Sequence, residues 1–564
     1  MKPLTRNIAN LSNKEYDLVI VGGGIFGVCA AWEAVQRGLS VAIVDKGDFA
    51  HATSANHFKI VHGGIRYLQH GDLYRIRESS RERSAFLRIA PHLVQPLPIV
   101  IPTYGHGIKG KELLWAGFSL YECLTFDRNR GLDADRRIAR GELLPREAIL
   151  DLFPGINQNG LTGGACFSDG QMYNPTRLVL SFLRSAVHEG ADAANYVEAQ
   201  KFLQRNNRVT GVHVKDVLSG DEFSIRGKMT LNSAGPWAHR LLKTSRIMAL
   251  KPPPTFSRDL AFVVGKQLNS QFGIALSSRV KDTDTLFDRG GRHLFVVPWR
   301  GRSLIGVWHM IFDRPPEDIH VTEQELQGFI KQIHEAWPGL DIRINDISMI
   351  NTGLTLFGSE DHQGEVDLSF GKRSLLIDHK KKHGIEGLVT LIGVRATTAR
   401  GMAEKAINII LRKLGKKRIK SRTEVTPIYG GDMDCFQELL HQATEQCAPL
   451  ISAELTRSLL HNYGSQYQDV LKYTGEDPAW KEPFQGTTVL KAEIVHAIRN
   501  EMAQKLADVI FRRTDLGTGG YPGDAAFEDC ANLMMSEMGW DQDRLRIEKE
   551  EALNAFPAFN RGKY

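Results

Sequence analysis

The hydrophobic pattern changes period twice within the first forty-five residues. Tyr16-Asp17-Leu18-Val19-Ile20-Val21 is an almost unbroken apolar run, the pattern of a parallel strand buried on both faces. Gly22, Gly23, Gly24 and Gly27 follow at once. Residues 28–37 then space their apolar positions as a helix does, and Gly38 stands where a helix C-cap is expected. Residues 39–44 form a second apolar run that ends at Asp45. The pattern predicts a strand–helix–strand unit over 16–45.

Further along, a charged helical stretch covers 72–90. Four prolines make 91–102 extended, and 113–126 is aromatic and mostly apolar. Short strand-like runs dominate 160–310, at 209–214, 223–225, 260–264, 294–297 and 304–307. They predict an antiparallel sheet interleaved with the first domain. Residues 388–392 read as another strand and 397–414 as a long helix. The basic run 412–422 reads as a linker. Beyond 424 the pattern is helical, and a separate α-helical domain is expected there.

Composition narrows the class. The 564 residues carry 71 Lys+Arg against 65 Asp+Glu, a net charge of +6, with 42% hydrophobic and 24% charged residues. These are globular values, which exclude disordered, collagenous and coiled-coil chains. So small an excess of positive charge argues against a nucleic-acid partner. The six cysteines form no CxxC pair, which excludes a zinc ribbon and a dithiol motif; no metal site is expected. The polar start carries no signal-like apolar region, and residues 18–32 are too short and 89–108 too proline-rich to span a bilayer. A cytoplasmic protein is expected, with attachment to the cytoplasmic membrane face left open.

The chemistry begins with Gly22-x-Gly24-x-x-Gly27 between a strand and a helix. Gly22 allows a tight turn, Gly24 lets a pyrophosphate approach the backbone, and Gly27 permits close helix–strand packing. The helix N-terminus offers free N–H groups to phosphate. Asp45, closing the second strand, is placed to accept from a ribose. This frame predicts a dinucleotide site and leaves FAD and NAD undistinguished.

Ala52-Thr53-Ser54 and Lys59-Ile60-Val61-His62-Gly63-Gly64-Ile65-Arg66-Tyr67-Leu68 resemble the flavin-contacting segment of the FAD-dependent glycerol-3-phosphate dehydrogenase family. Ala90-Pro91-His92-Leu93, Asn232–Trp237, Phe295–Trp299, Thr397–Arg400 and Arg512-Arg513-Thr514 resemble family motifs in the same order. The resemblance covers nearly the whole chain. It implies an α/β fold with a doubly wound, Rossmann-like FAD-binding domain made of residues 1–100, 166–250 and 366–415. It also implies a substrate domain with an antiparallel sheet from 101–165 and 251–365, and a helical domain at 424–564.

By the same resemblance, Gly22, Gly24, Ile25, Phe26, Gly27, Asp45 and Lys46 hold the dinucleotide end of FAD. Thr53, Ser54, Lys59, His62, Gly63 and Gly64 lie along it. Val197 faces the adenine, Ala234, Gly235 and Trp237 close over the dinucleotide, and Gly393 and Thr397 meet the flavin pyrimidine. Arg66 and Tyr67 face the substrate.

The departures from the family fall in the substrate wall. The family's Gly-Ser-His is Ser257-Arg258-Asp259, so an imidazole that is a candidate base is missing, and its Ile-Gly-Thr-Thr-Asp is Ile305-Gly306-Val307-Trp308-His309. Its Ser-Gly-Val-Arg-Pro is Thr352-Gly353-Leu354-Thr355-Leu356, which puts Thr355 in place of a substrate-phosphate arginine. Its Gly-Gly-Lys-Leu-Thr-Thr is Gly393-Val394-Arg395-Ala396-Thr397-Thr398. Arg395 or Arg258 is expected to compensate for the lost cation. Arg66, Tyr67, Arg373 and Arg395 are expected to position an anion, and His309, Asp259 and His62 are the candidate bases. Trp308 and His309 together suggest a bulkier substrate.

The expected function is oxidation of glycerol 3-phosphate, or a close analogue, by hydride transfer to flavin, with electrons passed to quinone or oxygen. A related flavoenzyme acting on another phosphorylated polyol, sugar derivative or amino or hydroxy acid is the second reading, and a non-catalytic flavin-binding scaffold the third. A membrane surface and a second copy of the chain are the macromolecular partners the family suggests.

Overall fold

A computed structural model describes residues 2–105, 111–247, 254–281, 291–357, 374–417 and 419–557. Two sheets organise them. The first carries the predicted unit: β1 (Glu15–Val21), α1 (Ile25–Gln36) and β2 (Val41–Val44). Helix α1 starts three residues earlier than the sequence pattern predicts, with Gly24 as its N-cap. In space the strands run Leu375–Asp378, Leu388–Ile392, β3 (Glu222–Asn232), β1, β2 and Asp192–Ala194. Pairing is parallel from Leu388–Ile392 across to Asp192–Ala194.

The first half of β3 turns to a different partner. It pairs antiparallel with Arg208–Asp216, which pairs in turn with Val197–Arg205. The runs at 209–214 and 223–225 therefore extend the first sheet rather than joining the second. At eleven residues, β3 is long enough to serve both partners in succession.

The second sheet includes β4 (Thr255–Val264), β5 (Arg302–Phe312) and β6 (Ile347–Phe357), with β4 between the other two. It continues through Gly291–Trp299 and Gly273–Lys281 to Val94–Tyr104 and Leu161–Met172. The strand Val94–Tyr104 runs across the boundary expected at residue 100. It tolerates Pro96, Pro98 and Pro102 because their even spacing puts all three on one edge. Along that edge only Ile99 and Val100 pair with the neighbouring strand.

Two helices flank the segment Ile65–His70: α2 (Leu73–Ile89), whose Arg75 lines the cleft between the sheets, and α3 (Lys111–Leu124), which packs on α2 and on Leu161–Met172. Helix α4 (Ala399–Lys413) packs beside α1 under the first sheet.

The tail is helical, with Phe436–Cys447, Ala453–Tyr463, Lys491–Asn500, Asp524–Met538 and Gln542–Asn554 as its main helices. It does not pack alone. Phe484, Ile494, Leu506, Phe527 and Met534 share one apolar core with Ile60, Leu97, Phe167 and Val263 of the second sheet. Buried ion pairs add to the join: Arg513 and Arg512 bind Asp48, and Arg177 and Arg184 bind Glu501.

The basic run is not a free linker. Lys413 pairs with Asp378 at 2.6 Å and Lys416 with Asp17 at 2.7 Å, so two of its charges are engaged by the first domain. Among the described residues, no helix is long and apolar enough to cross a membrane.

Candidate active site

A cleft of about 750 Å³ runs from the turn after β1 to the face of the second sheet. At its first end, Gly22 has φ +107°, and a Cβ there would stand 2.4 Å from the Ser233 carbonyl oxygen. Gly27 lies behind the wall; a Cβ on it would strike the Gly22 carbonyl at 1.8 Å, so the glycine sets how closely α1 approaches the turn. Gly24, Ile25 and Phe26 line the cleft, and the Ile25 N–H donates to Ser54 Oγ at 2.9 Å.

Asp45 is held in place from several sides. Its Oδ2 accepts from the Gly23 N–H at 2.6 Å, its Oδ1 from the Gly47 N–H at 3.0 Å, and His51 lies 3.3 Å away. Burial works against protonation of His51, but the Asp45 carboxylate outweighs it and leaves the imidazole pKa raised.

Lys46 lies over the Trp237 ring at 3.8 Å, and Trp237 Nε1 donates to Glu317 at 2.7 Å. Ala234 and Gly235 line the same end. Val197 is buried beneath it and reaches the site through its N–H, which donates to the Asp45 carbonyl at 2.7 Å; Glu198, the next residue, lines the cleft.

Midway, Thr53 Oγ1 bonds both the N–H and the carbonyl of Leu354 on β6, which ties the loop after β2 to the second sheet. Lys59 is buried. Its Nζ donates to Asn351 Oδ1 at 3.0 Å and lies 4.7 Å from the Trp299 ring centre. Burial first, and the nearby Arg300 second, push its amine down to about 7.

His62 donates its backbone N–H to Thr397 Oγ1 at 3.0 Å, and its Nδ1 meets Asp169 at 3.2 Å. Gly63 stands behind the wall and donates to Asp169 at 2.6 Å; Arg83 binds the same carboxylate at 2.8 Å. Gly64 and Thr397 line the cleft, as does Gly393, which packs against the Phe26 ring.

Two further groups of opposite character line the cleft. From the second sheet come Asp259 on β4, His309 on β5 and Thr355 on β6. Asp259 Oδ1 is 2.6 Å from His309 Nδ1 and accepts from Ser257 Oγ at 2.9 Å; its Oδ2 accepts from Thr355 Oγ1 at 2.8 Å. The imidazole that position 259 lacks is thus present on the neighbouring strand, with the carboxylate and the ring exchanged between the two.

From the helical side come Arg66, Tyr67, Arg75 and Arg395. The guanidiniums of Arg395 and Arg75 lie 4.9 and 5.2 Å from the Tyr67 ring centre.

Three expectations change. Trp308 points away from the cleft and packs 5.4 Å from Phe329, because successive residues of a strand face opposite sides; it adds no bulk to the substrate wall. Arg258 turns away for the same reason and binds Glu325 at 2.5 Å and the His320 carbonyl, so it does not replace the lost cation. Arg373 lies outside the described residues.

Asp169 and Arg75 escaped the sequence reading. Asp169 acts on His62 from 107 residues away, a relation no local pattern carries. Arg75 sits in a charged helix, where sequence alone singles out none of the several arginines. Among the described residues, no cluster of three or more His, Cys, Asp or Glu is arranged to hold a metal.

The residues fit FAD. A positive-φ glycine turn too tight for a side chain, a strand-end carboxylate and a cleft that continues to the second sheet match an extended dinucleotide that ends in a bulky ring. Comparison with known proteins agrees. Residues 17–385 match the family model described as FAD-dependent oxidoreductase, and residues 421–545 match the C-terminal domain of alpha-glycerophosphate oxidase. The chain belongs to the FAD-dependent oxidoreductase family and takes FAD as its cofactor.

Among its relatives, it is 28% identical to a glycerol-3-phosphate dehydrogenase of Synechocystis, over 96% of each chain. It is 27% identical to an aerobic glycerol-3-phosphate dehydrogenase of Staphylococcus haemolyticus, over 93% of this chain and 92% of that one. In fold it is similar to the glycerol-3-phosphate dehydrogenase of Bacillus halodurans, solved with FAD, with a TM-score of 0.76 at 22% identity over 97% and 96% of the two chains.

Proposed function

We propose that the chain oxidises the secondary alcohol of glycerol 3-phosphate to the ketone of dihydroxyacetone phosphate. The observation that carries this reading is that two groups of opposite character line one cleft. One presents an imidazole held by a carboxylate, and the other presents guanidiniums beside a tyrosine. Relatives named glycerol-3-phosphate dehydrogenases match over nearly the whole chain and support the substrate.

Arg66, Tyr67 and Arg395 bind the phosphate, since guanidiniums give bidentate, charge-assisted contacts to it. Asp259 holds His309 through Nδ1, and the His309 imidazole accepts the proton of the substrate hydroxyl. His62 stands 3.2 Å from Asp169 Oδ2, against 2.6 Å between His309 and Asp259, so His62 is the less tightly held of the two rings. Bound FAD supplies the hydride acceptor for the substrate carbon. The two sheets and α2 enclose the alcohol and limit water around it.

Anaerobic mixing with glycerol 3-phosphate tests the reading. Bleaching of the flavin absorbance, with dihydroxyacetone phosphate formed, is expected. Bleaching only by other compounds in a panel of anionic polyols and hydroxy acids would replace the substrate, a reading that Thr355 favours because it removes a cation from β6. No bleaching by any compound would leave a flavin-binding scaffold.

The exposed surface supports a reading of the electron acceptor. Trp115 is 62% exposed, Leu120 50% and Phe126 79%, on α3 and the turn after it, while Phe118 and Tyr121 face inward. Aromatic and aliphatic side chains presented this way favour insertion at a lipid interface and a membrane quinone as acceptor. Co-flotation with anionic vesicles, lost in Trp115→Ser together with Phe126→Ser, is expected. A chain that stays free of vesicles and passes electrons to oxygen would overturn it.

A further inference from the structure

We infer that Arg75 is a phosphate-binding residue of this site and supplies from α2 the cation that β6 does not carry. The inference rests on the proposed oxidation of a phosphorylated alcohol and names a determinant of its specificity.

Among the described residues, the second sheet lines the cleft with no guanidinium. Its described cleft-lining positions on β4, β5 and β6 are Phe256, Asp259, Ala261, Val307, His309, Asn351, Leu354 and Thr355. Thr355 spends its hydroxyl on Asp259, and Arg258 faces the other side of the sheet. A dianion placed against that wall alone would meet a carboxylate.

The helical side is built differently. Arg75 is buried at 9% exposure, lines the cleft and lies by the Tyr67 ring together with Arg395. Arg395 donates from Nη1 to Ser79 Oγ at 3.0 Å, and Ser79 is one helical turn along α2 from Arg75. Guanidiniums from two different elements therefore lie against the one Tyr67 ring, and Arg66, its neighbour in sequence, also lines the cleft. One carboxylate fixes Arg75 twice. Asp72 Oδ1 accepts its backbone N–H at 3.0 Å, and Asp72 Oδ2 lies 3.0 Å from its Nε.

Pinning both the backbone and the side chain removes much of the entropy that a long arginine otherwise loses on binding.

The test titrates FAD-loaded, full-length protein with inorganic phosphate and with glycerol 2-phosphate, reading binding from the change in flavin absorbance. Arg75→Met is expected to weaken both by about tenfold or more, the scale of one lost charge-assisted contact. Arg75→Lys should recover part of the loss. FAD content and the thermal midpoint should stay at wild-type values. In turnover, KM for glycerol 3-phosphate should rise while kcat changes little, and selectivity for the phosphate ester over glycerol should fall.

Phosphate binding within twofold of wild type in Arg75→Met, or no phosphate binding by the wild type, would overturn the assignment. Failure of the wider reading looks different: phosphate binding would depend on Arg75 while glycerol 3-phosphate left the flavin oxidised.

Discussion

Asp259 and His309 face each other across neighbouring antiparallel strands, with 2.6 Å between Oδ1 and Nδ1, and both side chains point into the cleft. Ser257 and Thr355 complete the shell of the carboxylate, so the ring is held by a group that is itself fixed. His309→Ala should lower the rate of anaerobic flavin reduction by about 10²–10⁴-fold, the usual worth of a positioned base. Asp259→Asn should lower it by less, because the amide still holds the ring but no longer selects the tautomer. FAD content should be unchanged in both. A full reduction rate in His309→Ala, with His62→Ala inactive, would move the base to His62.

What the sequence disclosed here and what it hid follow from range. The β1–α1–β2 unit was legible because strand period, glycine spacing and the terminal Asp45 all lie within thirty residues. The Asp259–His309 pair was not, since it depends on strand register across fifty residues. Trp308 was misread for a related reason: on a strand, a shift of one residue exchanges the wall of the cleft for the opposite side of the sheet. The role of Arg75 needed knowledge of which face of α2 meets Tyr67. The pattern showed the strands at 209–214 and 223–225 but grouped them with the second sheet, while the resemblance put 166–250 in the FAD-binding domain, because pattern fixes a strand and not its neighbour.

Asp45 accepts from two backbone N–H groups and contacts His51, so it organises the loop that follows β2 as well as offering oxygen to a ribose. Asp45→Ala should weaken FAD retention by about 1.5–3 kcal/mol, the range for hydrogen bonds to a charged group. Equilibrium dialysis against free FAD measures it. Unchanged retention would remove the ribose role.

The tail holds this same loop from behind. Asp48 is fully buried and accepts from Arg513 at 2.6 and 2.8 Å, from Arg512 at 2.8 Å and from Asn195 at 2.8 Å. The two arginines and the surrounding hydrogen bonds keep its carboxyl ionised against the cost of burial. Arg513→Met leaves that charge short of a partner and should destabilise the chain by about 3–5 kcal/mol. Asp48→Asn in the same chain should recover part of the loss by removing the buried charge. Thermal unfolding of the single and double variants gives the comparison, and no recovery would show that the arginine acts through packing alone.

Lys59 gives the fold a pH dependence of definite sign. Its amine is pushed down to about 7 by burial and by Arg300, whereas the unfolded chain restores an ordinary lysine that stays protonated to about 10.4. Between these values the unfolded state binds more protons than the folded one, so raising the pH favours the folded state. Below 7 both states are protonated, and the folded chain carries the full penalty of a buried charge. Lys59→Met removes the titration altogether. The unfolding free energy of the wild type should therefore gain on that of Lys59→Met as pH rises from 7 toward 9, with a slope of up to about 1.4 kcal/mol per pH unit. The hydrogen bond to Asn351 Oδ1 works with either form of the amine, since both have an N–H to donate, and so it does not cancel the trend. Denaturant unfolding of both proteins across that range measures the gap. A gap independent of pH would mean that the Lys59 amine keeps its ordinary pKa inside the cleft.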